Sequence, residues 1–462
     1  MVRQLKVQET ELAVNKAVNN AVSVAGVDRS KAADAFQQVS DVLFGHEQSM
    51  AKRISLVPSE NTLSAAARLA YLSDGYSRYY FNAEEVGGQW GFEAGEALGS
   101  VQDSILIPAL KRVGGANYVN VAAVSGLTCM TAVFAAFGGA PGATVFSVPL
   151  RAGGHPDTRY VGHKFSYRME RLPVLDYATV DHERLADMVS TLQPSMIYAD
   201  QSTALFALDI AALVRTVRAS QKVPCHIHVD SSHLNGLIWG GVLPNPLDEG
   251  ADSYGGSTHK TFAGPHKAVV LMREKQVAKR LLDATMNIIS HPHTASTLAL
   301  TLALIEFEHC GGPQYAQQVC SNAKTLARAL HRAGLPVQGD DRDYTETHQV
   351  WVGAIDSYTH FEASALLFKA GIVLNPYALV PSLRAPGLRM GVNEATKLGL
   401  VESDMEELAS IVADVLLRDM DPDNAARQVA GLKARRSERC VLPPAMVHEA
   451  WRRMLALQGI EA

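Results

Sequence analysis

Between about residues 55 and 300, short apolar runs alternate with stretches of helical periodicity. This alternation limits the fold more than any other feature of the chain. TVFSV (144–148), SMIYAD (195–200), HIHVD (226–230) and AVVLM (268–272) read as strands, and residues 182–192 and 208–221 read as helices between them. Parallel strands need long crossover connections, so the succession predicts an α/β fold: a mostly parallel sheet covered by helices. Ligands of such sheets sit at the carboxyl ends of the strands, which directs attention to the residues that close each run.

After about residue 310 the texture changes. A helix is expected over 313–333, ending near Gly334. Strand-like pieces follow at THQVWVGA and GLRMGV, and helices at 360–370, 403–418 and 423–437. This reads as a smaller α+β domain. Residues 1–50 read as a helical arm with Phe36, Val39, Leu43 and Phe44 on one face. The expected organisation is therefore an arm (1–50), a large domain (51–310) and a small C-terminal domain (311–462).

Lys plus Arg number 42 and Asp plus Glu 47, a net charge of −5, which gives no support to a nucleic-acid or anionic-membrane partner. The N-terminal stretch mixes charges and lacks the apolar segment of a signal peptide. The most apolar region, Ala116 to Val148, is interrupted by Ser125, Gly126, Gly138, Gly139, Pro141 and Gly142, so it does not read as a membrane span. Cys129, Cys225, Cys310, Cys320 and Cys440 are odd in number and none are spaced C-x-x-C, as in reduced structural thiols. A cytoplasmic protein is expected.

The chemistry concentrates in residues 226–268. Asp230 closes a strand, His233 follows three residues later, and Lys260 lies in STHKT. Pyridoxal 5'-phosphate (PLP) needs a lysine amine for a Schiff base and a carboxylate to keep its pyridine nitrogen protonated. Ser257, Thr258 and Gly264 suit a tight loop near a phosphate, with His259 beside the lysine. A rival reading is a metal site for a hydrolase, because His226, His228 and Asp230 alternate on one strand face with His233 just after. The bland reading is core histidines with polar partners. These residues alone leave all three open.

The segment DSSHLNGLIWGGVLPNPLDEGAD…STHKTFAGP resembles the serine hydroxymethyltransferase family in order and spacing. So do LVPSEN (56–61), DGYSRYY (74–80), GGH (153–155) and PGLRMGV (386–392). The resemblance implies the fold-type-I PLP transferase architecture of aspartate aminotransferase, with a seven-stranded-type sheet, and a homodimer or homotetramer with sites at a subunit interface. It implies that Lys260 carries PLP, Asp230 holds the pyridine nitrogen, His155 stacks on the ring, and His233 sits near the ring hydroxyl with Ser202. Ser125, Gly126 and Thr128 match a phosphate loop at a helix start, where N–H groups favour an anion. Arg389 would hold the substrate carboxylate. Ser59, Tyr79 and Tyr80 would line the substrate site, the tyrosines from the partner subunit, and Glu60 and Asp74 are the candidate acids.

The chain departs from the family where it matters for proton handling. Asp74 stands where the family places a Glu, one methylene longer, and two residues are missing before the Arg. GGQWGFE within 81–103, ADQS (199–202) and SNAKTLARALHRAGLPVQG…TETHQV (321–350) resemble instead the divergent L-threonine transaldolase branch of specialised metabolism. That branch implies retro-aldol cleavage of L-threonine to a glycyl quinonoid and its transfer to an acceptor aldehyde, without folate. The alternative is serine or α-methylserine hydroxymethyl transfer, with tetrahydrofolate.

Overall fold

The computed structural model describes residues 29–80, 92–176, 178–378 and 386–460. Helix α1 (Arg29–Ala51) carries Phe36, Val39, Leu43 and Phe44, all of them exposed; residues 1–28 of the expected arm lie outside the described residues.

From Ile54 onward the described residues form one compact unit. Its elements run β1 (Ile54–Ser55), β2 (Tyr118–Asn120), α2 (Gly126–Phe137), β3 (Thr144–Ser147), β4 (Arg168–Arg171), α3 (His182–Leu192), β5 (Met196–Asp200), α4 (Ile210–Ser220), β6 (His226–Asp230), β7 (Ser253–Ser257) and β8 (Ala268–Met272). There follow α5 (Thr294–His309), α6 (Gly312–Arg332), β9 (Gln349–Val352), α7 (His360–Lys369), β10 (Ile372–Val373), β11 (Asn375–Ala378), β12 (Pro386–Gly391), α8 (Glu402–Leu417), α9 (Pro422–Ala434) and α10 (Pro444–Leu457). Further helices, Glu93–Val101, Ile107–Gly114 and Lys275–Met286 among them, and shorter helical turns complete the described residues.

The main sheet has the order β2-β8-β7-β6-β5-β3-β4. Pairing from β7 to β4 is parallel, and β8 runs antiparallel to both neighbours. Period-2 alternation packs both faces. Met196 and Tyr198 of β5, with Val270 and Met272 of β8, join one apolar cluster against α2; Ile197, Ala199, Val269 and Leu271 join the larger cluster opposite. Helices α3 and α4 start at Asp181 and Asp209, whose carboxylates accept from the Arg184 and Ala212 N–H groups. A three-stranded antiparallel sheet, β11-β12-β9, and the packed pair α6 and α8 occupy the later part of the chain. No described helix is long and apolar enough to cross a membrane. The five cysteines are free.

Strand β7, SYGGS, carries no apolar run and was not foreseen. Its glycines are required by what it passes. Gly256 has φ +136°, and a Cβ there would press on Asp230 Oδ1 and the Ser232 hydroxyl. The strand can therefore lie directly beside the carboxylate that ends β6.

Candidate active site

Strands β5, β6 and β7 end side by side, with Asp200 in register with Asp230 and Asp230 with Gly255. At these carboxyl ends lies a cavity of about 140 Å³. Of the residues expected from sequence, Gly126, His155, Ser202, Asp230, His233, Ser257, His259 and Lys260 line it.

Burial lowers the Lys260 amine to about 8; Asp230 opposes that lowering and Arg389 adds to it. Burial works against ionisation of Asp230. The Lys260 charge and hydrogen bonds from Ser232 and Tyr198 outweigh it and hold the carboxyl below its ordinary range. The Tyr198 hydroxyl donates to Asp230 Oδ2 at 2.6 Å and the Ser232 N–H to Oδ1 at 2.9 Å. The Lys260 carbonyl is held by Asn61 Nδ2 at 2.6 Å and Asn393 Nδ2 at 3.3 Å, which fixes the backbone that carries the amine.

The His155 N–H donates to Asp200 Oδ2 at 2.7 Å, and His155 Nδ1 accepts from the Asp157 N–H at 3.2 Å, which leaves the ring proton on Nε2. Burial lowers the His155 pKa, so the ring is neutral. Ser125 and Thr128 form a reciprocal capping box at the start of α2, so their hydroxyls serve the helix, and Gly126 is the one of the three that borders the cavity. A Cβ on Gly126 would collide with the Ser257 hydroxyl, so the two form a close cradle at a helix start. Arg389 on β12 is 5% exposed; its Nη1 donates to the Ser202 carbonyl at 3.1 Å and to Thr203 Oγ1 at 3.2 Å, and its guanidinium lies over the Tyr377 ring. Burial lowers its pKa to about 10, and its Nε has no partner.

The serine hydroxymethyltransferase family model matches residues 32–412. This chain belongs to the serine hydroxymethyltransferase family. An L-threonine:uridine-5'-aldehyde transaldolase from a Streptomyces species is 37% identical over 399 residues, which are 86% of this chain and 96% of that protein. The serine hydroxymethyltransferase of Pyrobaculum arsenaticum is 33% identical over 403 residues, 85% of this chain and 91% of that protein. The crystal structure of L-threonine transaldolase from Pseudomonas fluorescens, in its internal aldimine state, superposes with a TM-score of 0.84 at 27% identity, covering 94% of this chain and 99% of that one. The architecture is that of the fold-type-I PLP transferases.

The residues of this family member fit PLP on their own chemistry. A largely desolvated amine, a half-buried carboxylate held ionised, a neutral imidazole and a helix start converge on one cavity. Other expected residues lie elsewhere. Glu60 and Gly264 border a neighbouring cavity, which His259 also lines. Asp74 sits on an exposed turn, both oxygens held by Arg78 at 2.6 Å. Tyr79 is 53% exposed, whereas Tyr80 is buried with its hydroxyl on Gln102. Ser59 is half-buried. Most of GGQWGFE lies outside the described residues.

The metal reading of His226, His228, Asp230 and His233 is overturned. Among the described residues no group of three or more is placed to hold a metal ion. His226 stacks on Phe137, His226 and His228 share the Ser253 hydroxyl at 2.8 Å each, and His233 faces His348.

Three residues were missed. Asp200 lines the cavity with Oδ1 unpartnered, while Oδ2 also accepts from Thr158 Oγ1 at 2.6 Å. Its signal was available: SMIYAD ends on an acid as HIHVD does. Tyr198 and His348 gave no local signal, because each acts across the sheet or between distant segments.

Proposed function

We propose that this chain is a PLP-dependent transaldolase that cleaves L-threonine, releases acetaldehyde and transfers the glycyl unit to a second aldehyde. The observation that carries this reading is the cavity that Lys260 and the half-buried Asp230 line together, each charge acting on the other. The transaldolase relatives, similar along nearly their whole length, support the choice of reaction.

Lys260 would hold PLP covalently, Asp230 its ring nitrogen, His155 its ring face, His233 and Ser202 its ring hydroxyl, and Gly126, Ser257 and His259 the phosphate side, at the helix start that Ser125 and Thr128 cap. Bound there, PLP supplies an electron sink for the bond being broken. A Lys260 amine lowered to about 8 is partly unprotonated at mildly alkaline pH and so nucleophilic. Arg389 would clamp the substrate carboxylate, with its guanidinium held in place by the Ser202 carbonyl and the Thr203 hydroxyl. The β-hydroxyl proton must leave as that bond opens and return to the new alkoxide. The His155 Nε2–H would be a donor to that alkoxide, and Asp74 would be the proton carrier, with Tyr79 lining the site from a second copy.

We further propose that residues 51–310 act as the PLP domain and 311–462 as a small domain that contributes Arg389, in a cytoplasmic homodimer. The test is the visible spectrum of the PLP-loaded protein before and after L-threonine, without folate. A long-wavelength band with acetaldehyde released, both lost in Lys260→Ala, is expected. A yellow protein that leaves threonine intact but cleaves serine only with tetrahydrofolate would replace this reading with hydroxymethyl transfer.

A further inference from the structure

Behind His233 lies a second buried imidazole, that of His348, just before β9. The rings are nearly parallel, 21° apart, with His233 Nδ1 3.4 Å from His348 Nε2. The same His348 Nε2 lies 3.1 Å from the Pro58 carbonyl, while His348 Nδ1 is buried without a partner. His348 is 0% exposed and His233 4%. Burial, reinforced by the nearby Lys260 and Arg389 charges, keeps both rings neutral, so each carries one N–H.

A carbonyl oxygen only accepts, so the single proton of His348 belongs on Nε2, where it meets Pro58. A proton on His233 Nδ1 would then point at another N–H, so that nitrogen must be bare and the His233 proton must be on Nε2. Nε2 is the nitrogen left for the cavity that His233 lines.

We propose that His348 is a positioning residue that locks His233 in its Nε2–H tautomer, so that the cavity is presented with a hydrogen-bond donor suited to an anionic oxygen. Resting on the PLP reading, that oxygen is the ionised ring hydroxyl of the cofactor. The contact also ties the Pro58–Ser59 segment to the cofactor side of the site through one imidazole. No charge change is involved in this device.

Nitrogen-15 histidine NMR tests the tautomer directly, in the PLP-free protein and again in the loaded one. Of the 16 histidines, His233 is assigned by the signal lost in His233→Gln. Its spectrum should show a protonated Nε2 and a bare Nδ1 in both states; a protonated Nδ1 overturns the proposal without any variant of His348. His348→Gln places two N–H donors near the position of His348 Nε2 and should keep both the tautomer and PLP affinity. His348→Asn reaches only the Nδ1 position and should lose the fixed tautomer and bind PLP about tenfold more weakly. Equal PLP affinity in the Gln and Asn variants would also overturn it. The predicted tautomer in a protein that takes up no PLP would instead refute the PLP reading and leave the histidine pair standing.

Discussion

Replacing Asp200 by Asn should stabilise the protein, and more so as the pH rises. Asp200 is 1% exposed, and burial pushes its carboxyl up to about 7 from an ordinary 3.8, against hydrogen bonds from Thr158 and His155 that favour ionisation. Between those two values the native chain keeps a proton that the unfolded chain has released, so stability falls as pH rises through the window. The loss is about 1.4 kcal/mol per pH unit, and about 4 kcal/mol in all above pH 7. Asn carries no titrating proton. Its oxygen can accept from the His155 N–H and the Thr158 hydroxyl as Oδ2 does, and its amide can take the place of Oδ1 beside the cavity. The advantage of Asp200→Asn over wild type should therefore grow from about 1.5 kcal/mol at pH 5 to about 4 kcal/mol at pH 8. Equilibrium urea unfolding of the PLP-free proteins at several pH values measures this. Asp200→Ala is the control: it strips the acceptor from two donors and should be less stable than Asp200→Asn by about 1–3 kcal/mol per orphaned group, a difference with little pH dependence. Parallel pH profiles for wild type and Asp200→Asn would refute the reasoning.

Two further outcomes follow from buried cations. Arg389→Leu should raise the KM for L-threonine about 10- to 100-fold, with PLP binding retained, because a charge-assisted carboxylate contact is lost; steady-state kinetics and PLP titration check it. Lys267 is fully buried with its amine on the Pro292 carbonyl at 2.6 Å, and burial lowers it to about 7. Above that value the native amine is neutral while the unfolded one stays charged up to about 10.5, so stability rises with pH through that window. Lys267→Met should remove the rise and melt higher than wild type at pH 7, with the gap narrowing by pH 9 in thermal scans.

The site was legible where function and local pattern coincide. Asp230, His233 and Lys260 fall in one short stretch after a clear apolar run, and the structure brings them to one cavity with His155 and Ser202. Asp74 and Tyr79 stand on exposed turns of the chain, which no pattern of apolar residues could reveal. The imidazole run of β6 misled the metal reading because alternation puts side chains on one face without saying what faces them. Phe137 and Ser253 take that space.

Alternating strands and helices, acids at strand ends and the Lys260 segment were determined by the sequence itself, because periodicity and nearby spacing are local properties of a chain. Strand β7 was decided only by the fold: SYGGS is a strand because its glycines let the backbone pass Asp230. So were the ionisation of Asp230 against Asp200, the partnership of His233 with His348 and the seat of Arg389. Each depends on which charges, donors and carbonyls are brought within a few ångströms after burial, from residues as far apart as Pro58 and His348.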